Sequence, residues 1–319
     1  MEYLLWLQSI RNDMLNVILM AVTDFITSPV VYVGIAILYW CFNKRAGCFI
    51  AMNISLGSMV NQALKNTFCV MRPWIRNPQI KPVPEAMETA TGYSFPSGHT
   101  QIASGEFLSI AKWQRKRKWL VGVCVFITLL VMFTRNYLGV HTLEDVLVSL
   151  AVSLAVIFMS DKLLAWVDKG ENRDFIVFGI GMVLSAVFLV YITLKPYPEN
   201  FALGQYVYTS EEMITDCYSA AGCVVGFLIG WVLERHFLNF KTDVKKSAKV
   251  IRGIVGTALL LLLVVFLMDP VTELHPYWGE FGFFAFAFVF ILYIYPRIFT
   301  LWEKITNNTP PTFKLKTLN

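Results

Sequence analysis

At 319 residues, with 56% hydrophobic and only 15% charged, the chain is too apolar for an ordinary soluble domain, in which about 25% of residues are charged. The net charge of +5 is gathered at the ends of apolar runs, so it speaks of membrane topology and not of a nucleic-acid partner. The six cysteines contain no CxxC and mostly fall in apolar runs, which excludes a zinc or disulfide framework. Cys69 and Cys217 alone are placed where they could pair.

In chain order, the start MEYLLWLQSI carries Glu2, lacks a basic region and has no small-residue cleavage site, unlike a secretory signal peptide. Residues 3–25 mix apolar side chains with Arg11, Asp13 and Asp24, which predicts a helix lying at the membrane interface. Long apolar runs follow at about 26–43, 46–64, 97–113, 119–134, 143–160, 175–194, 218–233, 254–268 and 280–296. Their length and spacing predict an all-α, polytopic transmembrane helical bundle. There is no internal repeat and no low-complexity segment.

The connections alternate in charge. One set holds Lys44 and Arg45, then Lys112 to Lys118, then Lys162 to Arg173, then Arg235 to Arg252, and finally Arg297, Lys304, Lys314 and Lys316. These are twenty of the 27 basic residues. The other set holds Arg11, Lys65, Arg72, Arg76, Lys81, Arg135 and Lys195. Basic connections stay in the cytoplasm, so the first set is expected inside, with the C-terminus, and the second outside.

Three short segments fall on that outer side. Lys65 and Arg72 are about two helical turns apart and can point the same way. Arg grips phosphate through paired hydrogen bonds and Lys adds a point charge. Pro96-Ser97-Gly98-His99 opens the third run, with uncovered amides that make an anion seat beside His99. In Thr134-Arg135…His141…Asp145, the His and Asp share a helical face, so the carboxylate can hold one ring nitrogen and leave the other free to attack. Taken singly, each has a bland reading: a helix-start cap, a local hydrogen bond, a common turn, a snorkelling cation. Of the four histidines, His236 and His275 lack such company and read as structural, whereas His99 and His141 share one face with Lys, Arg, Ser-Gly and Asp.

The sequence here resembles the type 2 phosphatidic acid phosphatase (PAP2) superfamily, membrane lipid-phosphatase branch, whose relatives include the vanadium haloperoxidases and glucose-6-phosphatase. The family motifs K-x6-R-P, P-S-G-H and S-R-x5-H-x3-D are matched in order, with Thr134 in place of the serine. The resemblance covers roughly residues 20–195, the six-helix core, and implies about three additional C-terminal transmembrane helices beyond it. The expected division is therefore a phosphatase core at 1–195, including the interfacial helix, and further spans with a cytoplasmic tail at 196–319.

By resemblance, His141 would attack phosphorus to form a phosphohistidine, oriented by Asp145, and His99 would protonate the leaving oxygen. Lys65, Arg72, Ser97, Gly98 and Arg135 would hold the phosphoryl oxygens. No metal or other cofactor is implied. The substrate would be a lipid phosphate or diphosphate in the membrane; phosphatidate, phosphatidylglycerophosphate, sphingoid phosphates and polyprenyl diphosphates all fit. A bacterial plasma membrane, with the site outside, is favoured over the ER. The principal alternative is a transporter or channel that binds a phosphate-like anion, which gives no role to His99 or to the His141–Asp145 spacing. A vanadate peroxidase and an inactive scaffold fit less well, the first because this chain is membrane-embedded and the second because the motifs are intact.

Overall fold

A computed structural model describes residues 1–198, 201–202, 205–206 and 209–306. Two short helices, α1 (Glu2–Ser9) and α2 (Asp13–Ile26), lead into α3 (Pro29–Ile37), which runs on through a π-helical turn at Leu38–Phe42. Then come α4 (Lys44–Phe68), the short α5 (Pro73–Arg76) and α6 (Pro84–Glu88), α7 (Gly98–Trp113), α8 (Lys118–Tyr137), α9 (Leu143–Val167) and α10 (Arg173–Leu194). After a two-residue antiparallel pairing of Phe201–Ala202 with Gln205–Tyr206 follow α11 (Ser210–Leu233), α12 (Lys246–Leu274), α13 (Pro276–Val289) and α14 (Tyr295–Ile305). α11 and α13 each end in a π-helical turn, at Glu234–Leu238 and Phe290–Ile294.

The helix starts follow local chemistry. Asn12, Asn43, Ser97, Thr142 and Thr209 each accept a first-turn amide, and Pro29 and Pro276 open helices where no amide is needed. Among the described residues seven stretches are long and apolar enough to cross a membrane: Asp13–Phe42, Lys118–Tyr137, Leu143–Val167, Arg173–Leu194, Ser210–Leu238, Lys246–Leu274 and Pro276–Ile305. The molecule is thus an all-α polytopic bundle. Helices α4 and α7 coincide with two of the expected spans but fall outside this set, α7 because its 16 residues are too few and α4 because polar residues lower its hydropathy. α7 buries Gln101, Ser104, Glu106 and Ser109, and α4 buries Asn53, Ser55, Asn61 and Lys65.

The interfacial helix expected at 3–25 is two helices, broken where Asn12 caps α2. The second joins α3 in one apolar stretch interrupted only at Thr27–Ser28. Cys69 and Cys217 are both free thiols. Lys314 and Lys316 lie outside the described residues.

The two ends of the bundle differ. At one end, Lys44 pairs with Glu234, Arg45 and Arg235 with Asp168, Lys112 with Asp161, and Arg252 with Glu303. At the opposite end the loops 69–97 and 138–142 converge, roofed by a core of Ile80, Val83, Ala86, Leu138 and Val140 under α1. Arg11 ties this roof together by donating to the carbonyls of Tyr137 (2.6 Å) and Lys81.

Candidate active site

α4 stops at Phe68 because Cys69 takes a left-handed conformation, φ 49°, and turns the chain across the end of the bundle. This brings Arg72 inward, 2% exposed. Its guanidinium donates to the carbonyls of Gly92 (2.9 Å), Thr91 (2.7 Å) and Val140 (3.0 Å) and lies 2.9 Å from Nε2 of His141. Lys65, on the last turn of α4, is 5% exposed and within electrostatic reach of Arg72, Asp145 and Asp216.

His141 stands in the loop between α8 and α9, fixed by Asn136, whose amide donates to the carbonyls of His141 and Thr142, both at 3.0 Å. Its Nδ1 is 3.3 Å from Oδ2 of Asp145. That same oxygen accepts from the Thr142 amide (2.8 Å) and from the Ser94 hydroxyl (2.5 Å). Thr142 in turn caps the Asp145 amide, so a capping box at the start of α9 holds the carboxylate in place. With Nδ1–H donating to Asp145 and an Arg72 N–H aimed at Nε2, the neutral imidazole keeps its lone pair on Nε2. Burial first, then the Arg72 charge, push the His141 pKa from 6.5 down to about 3, against the pull of Asp145.

Ser97 caps α7 and is fully buried; its amide donates to the Asp145 carbonyl (3.1 Å), and Ser149 donates to its carbonyl (2.8 Å). These bonds lock the starts of α7 and α9 side by side. A Cβ placed on Gly98 would meet nothing within 4 Å, so the start of α7 is open beside Gly98, while the Thr100 amide is capped by the Ser97 hydroxyl. His99 is half-buried and within electrostatic reach of Arg135, His141, Arg72 and Lys65. Arg135 on α8 is wholly buried, and none of its three guanidinium nitrogens has a hydrogen-bond partner among the described residues. Three buried cations, of which Arg135 has Asp24 within electrostatic reach but no hydrogen-bond partner among the described residues, form a cradle suited to an anion.

The eight residues singled out from the sequence therefore meet at one end of the bundle. The sequence reading missed Ser94, Asn136, Arg11 and Asp216. Ser94 and Arg11 lie in segments with no periodicity to follow. Asn136 directly follows Arg135 and was legible by proximity. Of the other histidines, His236 meets Asp174 at 2.7 Å and His275 caps α13, both structural tasks. Among the described residues no cluster of three or more His, Cys, Asp or Glu side chains could hold a metal ion.

Buried cations facing a histidine–carboxylate pair, at the end of a polytopic bundle, are what a membrane phosphatase of the phosphoric ester hydrolase class requires. Residues 46–168 match the PAP2 superfamily, and residues 218–305 match the PAP2 superfamily phosphatase, transmembrane extension. The two matches together take in most of the chain, which belongs to the PAP2 superfamily. No curated protein and no solved structure matched it.

Proposed function

We propose that this phosphatase hydrolyses lipid phosphate monoesters or diphosphates through a phosphohistidine on His141, without a metal. The observation that carries the reading is the wholly buried Arg135 guanidinium, without a hydrogen-bond partner among the described residues and within electrostatic reach of a His141 whose Nε2 lone pair faces Arg72. A phosphoryl group bound by Arg135, Arg72, Lys65, Ser97 and the Gly98 amide displaces the Arg72 contact to Nε2 and puts phosphorus in its place. Nε2 then forms the N–P bond while the P–O bond to the leaving group breaks; burial and the surrounding cations lower the pKa of His99, so it takes up its proton as the phosphoryl charge offsets those cations and gives that proton to the departing oxygen. Asp145 stabilises the imidazole as it becomes cationic. Water next attacks phosphorus, gives a proton to His99 and releases phosphate, which restores both histidines.

The apolar body of the bundle and the position of the site at helix ends support a lipid substrate, reached from the outer leaflet. The basic residues gathered at the opposite end support an extracytoplasmic site. Rapid quench of purified protein with a 32P-labelled lipid phosphate, in excess EDTA, should trap an acid-labile, base-stable phosphoprotein. His141→Ala should trap none and lose about a thousandfold or more in turnover. Turnover of His141→Ala within about tenfold of wild type, or a strict need for a divalent ion, overturns the mechanism.

A further inference from the structure

Away from the histidines, a cavity of about 560 Å³ lies between α3, α4, α11, α12 and α13. Tyr32, Ala51, Ile54, Leu260, Phe284 and Ile291 illustrate its largely apolar wall. Along α4 the lining runs from Gly47 to Gln62, roughly 22 Å of helix at about 1.5 Å per residue. That is deeper than one leaflet, about half of a ~30 Å hydrocarbon core. The charged lining is confined to one end, where Asp216 and Glu280 stand near Gln62. This is the catalytic end: Gln62 lies one turn below Lys65 on α4, and Asp216 is within electrostatic reach of Lys65. An apolar pocket of this size with polar groups at one mouth is the usual form of a small-molecule site.

We infer that this cavity holds the hydrocarbon tail of the lipid phosphate whose phosphoryl group sits at His141. The inference rests on the lipid reading above. Helices α4 to α9 then supply the chemistry, while α11 to α13, the matched extension, supply three walls of the tail site. The tail hangs along α4 from Gln62 toward Gly47, and the acceptors Asp216, Glu280 and Gln62 meet the atoms that join tail to phosphate. A tail longer than the cavity, or a bulky first segment, is disfavoured by this geometry.

The test uses full-length protein in detergent micelles with hexadecyl phosphate and butyl phosphate as probes. Ser58→Phe on α4 and Ala287→Trp on α13 fill the cavity, and neither position is among those placed at the phosphoryl site. Each should lower kcat/KM for hexadecyl phosphate by about tenfold while that for butyl phosphate stays within about twofold, which also shows that the variant is folded. A hexadecyl phosphate bearing a terminal diazirine should crosslink wild type near Ile291 and Leu260, at the far end of the cavity. Wild type that prefers the long ester but is indifferent to both fillings, or crosslinks only to outward-facing residues, overturns the tail site and leaves the lipid reading standing. Wild type that turns over both esters equally removes the lipid reading, and the tail site with it. Where a filling abolishes both activities, the crosslink position decides.

Discussion

One carboxylate oxygen of Asp145 accepts from His141, Ser94 and the Thr142 amide, so the side chain that completes the cap of α9 also sets the tautomer of the imidazole. Because burial and Arg72 hold His141 neutral down to about 3, the proposed nucleophile is ready at every physiological pH. The sign for stability follows. Unfolded chain takes up a proton on this residue below about 6.5, whereas the folded site resists until about 3, so its contribution is complete above 6.5 and is lost as pH falls through that window. The thermal midpoint in detergent should therefore drop more between pH 7.5 and pH 5 for wild type than for His141→Gln; equal drops would refute the buried neutral state. His99→Ala should cut turnover of alkyl phosphates about a hundredfold or more, yet spare aryl phosphates, whose leaving oxygen needs little protonation. Matching losses on both would remove the acid role. The grouping of Lys65, Arg72, Ser97, His99, Arg135, His141 and Asp145 was legible because short spacings encode it. Ser94 and Asp216 reach their places only through tertiary packing, which no local spacing records.

Helix α11 meets α13 through Gly222, Gly226 and Gly230, one per turn on a single stripe. A Cβ on Gly226 would come within 2.3 Å of the Ala285 carbonyl oxygen, and one on Gly222 within 2.4 Å of that of Phe281. In a bilayer, lipid tails are as apolar as the helices, so close backbone approach and van der Waals contact must supply the association. Gly226→Leu would force the two helices apart at a cost of about 1–3 kcal/mol. Its thermal midpoint should fall clearly, whereas Gly282→Leu on the exposed face of α13, where a Cβ meets nothing within 4 Å, should leave it near wild type. The reverse order would contradict the packing. Most helices could be read from apolar runs alone. The split of α1 from α2 was hidden because Arg11-Asn12-Asp13 also fits the polar face of a single interfacial helix, and the buried polar faces of α4 and α7 lower their hydropathy where the site needs them.

At the scale of the whole molecule, the proposed orientation rests on charge. The end that carries Lys44, Lys112, Lys169, Arg235 and Lys245 holds most of the basic residues, and translocation of such loops is disfavoured. The end that carries His141 holds few, and Lys65, Arg72 and Arg135 among them are buried. On the proposed lipid reading, a site at helix ends would put the reacting phosphate near headgroup level and let a lipid enter sideways without extracting its tail, which would cost about 0.8 kcal/mol per methylene. Glu85 and Glu88 on α6 and Lys245 before α12 are all exposed, so they report orientation without disturbing the core. In a background without reactive native thiols, single cysteines at Glu85 or Glu88 should react with an impermeant maleimide on intact cells. A cysteine at Lys245 should be protected until the membrane is opened. Labelling of Lys245 but not Glu85 on intact cells inverts the protein and puts hydrolysis on the cytoplasmic leaflet, leaving the chemistry at His141 untouched.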